Sequence, residues 1–292
     1  MSFNQNINKY WNYLEQKYPA PIYVEQVKYM EFEDLKKAID NKNENYLKKI
    51  IKNMYIKKEA YILKNCATKN LKKTMLDLAN HYKKTEKSSF YKMQDGVPNF
   101  HRVIDKNITK KYSLYAIKHS FYLYNWNIRS KLEKKLKAGA YRHWRYIKSL
   151  AGNGKNKYEK NIPSDGQIDR LQIVRYPAGG GELRDHVDAR KNQRVVTGVI
   201  MSKIGEDFHK GGFYFKTSKT KKINIEKRLE EGDAVIFYGS LAHGVEKIDP
   251  QENLSWKSNK GRWFLGMFVN DSDHVQNRVT SKDLSGIIKT KF

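Results

Sequence analysis

The feature that most constrains this chain is a change of rhythm near residue 166. From there to about residue 270 the sequence offers seven short strand-like runs, at 171–176, 195–201, 213–215, 223–225, 234–238, 243–248 and 262–269. They are rich in β-branched and aromatic residues and are punctuated by turn chemistry such as Gly211-Gly212 and Gly232-Asp233. Many short strands of this kind predict a β-sandwich or barrel. In the first run Leu171, Ile173 and Arg175 fall on one face and Gln172, Val174 and Tyr176 on the other. Each face mixes apolar and polar groups, as in a strand covered on both sides with polar groups aimed into a pocket.

The preceding residues read mainly as helix. Apolar residues recur at three- and four-residue spacing over 24–40, 43–56, 71–81 and 129–150. A further helix over 4–17 stops at Tyr18-Pro19-Ala20-Pro21. Residues 84–100 read as a loop, 119–126 as a buried strand or a helix start, and 151–165, with Gly152, Gly154 and Pro163, as a boundary. The expected organisation is α+β: a mainly helical region 1–165 packed around a β core 166–275, followed by a C-terminal tail 276–292.

Within the strand region His186-Val187-Asp188 places an imidazole and a carboxylate two residues apart, on one side of an extended chain. His243, just past the run 234–238, is the candidate third ligand. Two histidines and one carboxylate on one face of an ion form the facial triad of non-heme Fe(II) oxygenases, with positions left for a bidentate co-substrate and dioxygen. Such chemistry needs an electron source, which 2-oxoglutarate supplies. Its far carboxylate needs a fixed cation, and Arg262, at the start of the last strand, is the candidate because guanidinium grips a carboxylate bidentately.

The order Tyr176-Pro177, His186-Val187-Asp188, Arg194 to Thr197, Gly211-Gly212-Phe213, Gly232 to Phe237, His243 and Arg262 resembles the Fe(II)/2-oxoglutarate dioxygenases, within them the prolyl-hydroxylase-like branch. The resemblance covers roughly residues 166–272. It implies a double-stranded β-helix (jelly-roll or cupin-like) core. It also implies Fe(II) on His186, Asp188 and His243, 2-oxoglutarate on Arg262 and Tyr176, Thr197 in the pocket, and dioxygen as oxidant. The chain departs from the oxygen-sensing members in carrying Met201 where they place a second co-substrate tyrosine. It also departs in the 19-residue interval from His243 to Arg262, which is longer than usual there. Asp188 disfavours the related halogenases, which lack this carboxylate. Phe268, six residues past Arg262, stands where nucleic-acid dealkylases carry a second arginine. The implied activity is hydroxylation of a C–H bond in an amino acid, peptidyl residue or small metabolite, giving succinate and carbon dioxide. Desaturation or cyclisation by the same centre is the neighbouring alternative.

The net charge of +26 invites a nucleic-acid reading. Residues 1–160 hold 35 Lys/Arg against 14 Asp/Glu, and 161–292 hold 22 against 17, so the excess lies mostly outside the segment with the chemistry. A solvated lysine coat is the plainer reading, and no nucleic-acid-binding signature accompanies it. A non-catalytic basic jelly-roll binding nucleic acid or an acidic partner is the alternative of a different class. Arg190, Lys191 and Arg194 stand near the expected pocket mouth, where an anionic substrate would meet them. The single Cys66 excludes an internal disulfide, no apolar run approaches the ~20 residues of a membrane span, and the N-terminus lacks an apolar signal core. A cytoplasmic protein is expected, of unassigned oligomeric state.

Overall fold

The computed structural model describes residues 2–112, 114–190 and 193–284. The first half carries helices α1 (Phe3–Lys17), α2 (Phe32–Asp40), α3 (Glu44–Tyr55), α4 (Leu71–Thr85) and α5 (Lys131–Leu150). It also carries strands β1 (Gln26–Glu31), β2 (Glu59–Lys64), β3 (Phe100–Ile104) and β4 (Ala116–Tyr124). Strands β5 (Gln167–Pro177), β6 (Gly181–Val187), β7 (Val195–Ile200), β8 (Gly212–Lys216) and β9 (Lys222–Asn224) follow. The last are β10 (Ala234–Tyr238), β11 (His243–Ile248), β12 (Gly261–Asp271) and β13 (Lys282–Asp283).

One curled mixed sheet runs β1-β2-β10-β7-β12-β5-β4-β6-β11-β8-β9, with β3 on β4 and β13 on β6. Among the described strands, β1 and β2 alone pair in parallel. β4 is the seam: it pairs with β5 over His119–Tyr124 and with β6 over Ala116–Ile117. Beyond it the sheet folds back, so that β6, β11 and β8 face the larger half in a jelly-roll-like arrangement. Strand alternation sorts the side chains. Leu171, Ile173, Val195, Val199, Ile236, Trp263, Leu265 and Met267 point outward and form one core with the helices. Val174, Tyr176, Val196, Ile200, Val235 and Phe237 point inward, against Phe215, Val245 and Ile248 of the smaller half.

The helices are held by this outer core, with each fully buried large side chain contributing ~1.5–3 kcal/mol. Trp11 of α1 is wholly buried, stacks 5.4 Å from Tyr238, and donates its indole N–H to the Leu150 carbonyl at 2.8 Å. Capping boxes start α1 at Ser2 with Gln5 and α5 at Ser130 with Glu133. Among the described residues no helix is long and apolar enough to cross a membrane.

The first half differs from the expectation of a mainly helical layer. Residues 26–31, read as part of a helix, form the edge strand β1; that helix starts only at Phe32. For the run 119–126 the alternative of a strand holds through Tyr124, where β4 crosses the middle of the sheet, and Asn125–Asn127 form a short helical turn. β2, with its first five residues buried, inserts between β1 and β10. The N-terminal segment therefore supplies sheet as well as helices, and its β4 joins the two halves of the fold. Of the expected tail, residues 285–292 lie outside the described residues; Lys282 and Asp283 pair with Val187 and His186.

Candidate metal centre

The site forms where β6 and β11 run side by side. Their register sets His243 directly opposite His186, with ring centroids 4.2 Å apart, on the face turned into the curl of the sheet. Each ring is fixed from behind: Nδ1 of His186 lies 3.0 Å from the Arg184 carbonyl and Nδ1 of His243 lies 2.9 Å from the Leu241 carbonyl. With Nδ1 donating, Nε2 of both rings is left as a lone-pair donor. Asp188 follows the end of β6. Its N–H donates to the Gly239 carbonyl at 2.8 Å, and Oδ1 accepts from Ser281 Oγ at 2.7 Å. Its carboxylate oxygens stand 3.7 Å from His186 Nε2 and 3.6 Å from His243 Nε2. Burial pushes the His243 pKa down to about 4, keeping the ring neutral and its Nε2 available. Among the described residues this is the sole group of three or more His, Cys, Asp or Glu able to share one ion, all donor atoms lying within 4.8 Å of one another.

The triad opens on an internal cavity of about 190 Å³, which Tyr176, Phe213, Phe237 and Arg262 also line. The β5–β12 register pairs Arg262 with Tyr176 on the inner face. Arg262 is almost fully buried, and its Nε donates to Oε2 of the equally buried Glu226 at 2.8 Å. Glu226 also accepts the Phe213 N–H at 2.6 Å. Among the described residues, no protein acceptor takes the terminal guanidinium nitrogens of Arg262, which sits over the rings of Phe213 and Phe264. Burial raises the Tyr176 phenol well above its usual range, so it is present as O–H.

The Gly211-Gly212 pair does more than turn the chain. Gly212 has φ +118°, and a Cβ there would lie 2.5 Å from Cβ of Glu226. The glycine thus lets the partner of Arg262 approach the strand. Thr197 lines the cavity, but alternation puts its side chain on the side of Val195 and Val199, against the helices. Its hydroxyl there is buried without a partner. Arg194 points elsewhere, into Glu15 at 2.8 Å and Asn8 at 2.6 Å. Arg190 is exposed and outside the cavity lining, and Lys191 lies outside the described residues.

Four groups in or beside the site escape a reading of the sequence: Glu226, Ser281, Lys118 and Arg170. Only Arg170 has a local signal. It precedes Gln172, Val174 and Tyr176 at the same strand parity, and all four line the cavity. The others arrive through topology. Of the remaining histidines, His101 and His119 form a buried pair at 2.9 Å, and among the described residues both ring nitrogens of buried His143 have no partner.

No family model matches the sequence, and a search of curated proteins found no match. Solved structures do match. A full-length Neurospora crassa protein in complex with alpha-KG (2-oxoglutarate) and thymine is 14% identical, covers 86% of this chain and 87% of its own, and superposes with a TM-score of 0.52. The same protein with alpha-KG and 5-formyluracil is 13% identical over 85% of each chain, with a TM-score of 0.51. A Pseudomonas putida prolyl-4-hydroxylase is 10% identical over 72% of this chain and 91% of its own, with a TM-score of 0.44. The chain thus shares its overall fold with the Neurospora crassa protein, whose structures hold alpha-KG.

Proposed function

We propose that the protein is an Fe(II)/2-oxoglutarate-dependent oxygenase that hydroxylates an unactivated C–H bond of an amino acid, a peptidyl residue or a small metabolite, with succinate and carbon dioxide as co-products. One observation carries the reading: a three-donor cluster and a buried arginine with free terminal nitrogens share one cavity. Two imidazole nitrogens and one carboxylate converging from one side suit non-heme Fe(II) and leave coordination positions open. Bound there, iron with 2-oxoglutarate and dioxygen supplies oxidising power that no side chain has.

The chain's own contribution is to hold, orient and exclude. The carbonyls of Arg184 and Leu241 aim the two imidazoles, and Ser281 aims the carboxylate of Asp188. Arg262 receives the distal carboxylate of 2-oxoglutarate through its terminal nitrogens, while Glu226 fixes its Nε. The Tyr176 hydroxyl donates to the same co-substrate, and Thr197 contributes its main chain. Val196, Ile200, Phe213 and Phe237 keep the chamber apolar and limit water. Residues 166–275 form the oxygenase core. Residues 1–165 shape the substrate chamber, which Leu114 and Lys118 reach. Beyond β12, Ser281 closes on Asp188 through its hydroxyl. Desaturation and cyclisation would use the same centre on a different substrate.

The direct assay is dioxygen-dependent conversion of 2-oxoglutarate to succinate, requiring added Fe(II). Wild-type turnover that disappears in His186→Ala supports the reading. Metal-loaded, folded protein that binds no 2-oxoglutarate removes it.

A further inference from the structure

Among the described residues, two cations in the cavity have no ion-pair partner. The charge of Arg262 is matched by Glu226 at 2.8 Å, and Asp188 belongs to the donor cluster. Lys118 of β4 and Arg170 of β5 line the same cavity. Among the described residues, the Lys118 side chain has no hydrogen bond or ion pair. Arg170 donates once, to the neutral amide of Gln172 at 3.0 Å, and its Nε is buried with no partner. Asn270 on β12 lines the cavity too, and its Oδ1 is buried and unmatched. Both cations lie on the inner face, where Arg170 sits over the rings of Tyr122 at 5.1 Å and Phe268 at 5.7 Å. Burial, with the neighbouring Arg170 and against the pull of Asp188, pushes the Lys118 pKa down to about 8, and burial lowers that of Arg170. Charge without a direct ion-pair partner is costly in a low-dielectric chamber and is retained where a ligand supplies the opposite sign.

Arg170 lies six residues along β5 from Tyr176, the partner of Arg262, or ~20 Å at ~3.3 Å per residue. The Arg170 backbone thus stands away from the Arg262 end of the cavity, whereas Lys118, next to His119 opposite Arg175, lies nearer the Tyr176 end, so the two side chains can converge on one anion by reaching toward each other along the inner face. Arg170 also borders a second, outer cavity of about 410 Å³ with Phe90, Tyr91, Arg102, Tyr112 and Tyr122. The outer cavity shares Leu114, Phe268, Asn270 and Ser281 with the inner one. Phe90, Tyr91 and Tyr112 are among the few large apolar side chains left exposed.

Resting on the oxygenase reading, we infer that Lys118 and Arg170 form the subsite for an anionic group of the substrate, a carboxylate or a phosphate, with the remainder of the substrate extending into the aromatic outer cavity. The positive charge near the reaction centre thus comes from two strands of the sheet. Arg194, by contrast, is spent on Glu15.

The test uses full-length protein loaded with Mn(II) and saturating 2-oxoglutarate, at constant ionic strength. Benzoate and inorganic phosphate are titrated separately and read by thermal shift. The wild type is expected to bind at least one of them saturably, and whichever binds tighter identifies the anion. Lys118→Met and Arg170→Met each weaken that binding about tenfold or more, since a charge-assisted hydrogen bond is lost, with 2-oxoglutarate affinity unchanged. Lys118→Arg and Arg170→Lys keep the charge, control for folding, and retain binding. No saturable binding by the wild type, undiminished binding in both Met variants, or loss of 2-oxoglutarate affinity in its place each overturns the assignment. Failure of the protein to bind 2-oxoglutarate at all would instead remove the oxygenase reading.

Discussion

Removing Glu226 isolates what holds Arg262 in place. The two side chains are 1% and 2% exposed and meet at 2.8 Å, so Glu226→Ala leaves a buried guanidinium without its counter-charge. Breaking one side of a buried pair costs ~3–5 kcal/mol. The Phe213 N–H loses its acceptor as well. For a chain of this size ~2 °C of midpoint shift per kcal/mol corresponds to a drop of about 6–10 °C. The double variant Glu226→Ala with Arg262→Met should be less destabilised than Glu226→Ala alone, because no charge is then stranded. Metal-loaded protein adds a second readout. If the distal carboxylate of 2-oxoglutarate meets Arg262, it replaces the missing negative charge. The co-substrate should then raise the midpoint more in Glu226→Ala than in the wild type, and hardly at all in Arg262→Met. Thermal unfolding of the four proteins with and without 2-oxoglutarate measures all of this. A cost under about 1 kcal/mol for Glu226→Ala would show that solvent compensates the pair. Equal co-substrate shifts in Glu226→Ala and Arg262→Met would refute the role given to Arg262.

Ser281→Ala, which removes the 2.7 Å hydrogen bond to Asp188, should weaken metal binding about 10- to 100-fold by titration while leaving the unfolding midpoint nearly unchanged. His143 is wholly buried with both ring nitrogens unpartnered among the described residues, and burial lowers its pKa to about 3. The unfolded chain takes up this proton near pH 6.5 and the folded chain does not, so stability falls as pH drops below ~6.5, by about 1.4 kcal/mol per unit until the folded pKa is reached. His143→Leu should match the wild type near pH 7.5 and gain about 2 kcal/mol on it by pH 5 in urea unfolding; parallel pH curves would contradict this.

The strands from 166 onward are legible because β-branched and aromatic runs between glycine turns determine them locally. Within that region β6 escapes the pattern, although it carries His186. Only Gly181 and His186 are buried along it, so it has little apolar signature and is held by backbone pairing with β4 and β11. β1 is hidden for a related reason, as an edge strand with no buried residue whose sequence runs straight into α2. The candidate metal-centre residues can be proposed from sequence because His186 and Asp188 lie two residues apart and His243 begins a clear strand. Glu226, Lys118 and Ser281 cannot, since each reaches the site by a long-range fold: a turn 36 residues before Arg262, a seam strand from the first half, and a segment beyond β12. Thr197 shows the limit of strand position alone, since one step of parity turns its side chain away from the chamber.

The central claim is that His186, Asp188 and His243 hold Fe(II) with 2-oxoglutarate on its open face. Anaerobic titration of Fe(II)-loaded protein with 2-oxoglutarate, followed by visible absorption, tests it most directly. The account predicts a metal-to-ligand charge-transfer band that saturates at one 2-oxoglutarate per chain and is lost in His243→Ala. Folded, iron-loaded wild type that binds 2-oxoglutarate without the band, or a band that survives in His243→Ala, would contradict it.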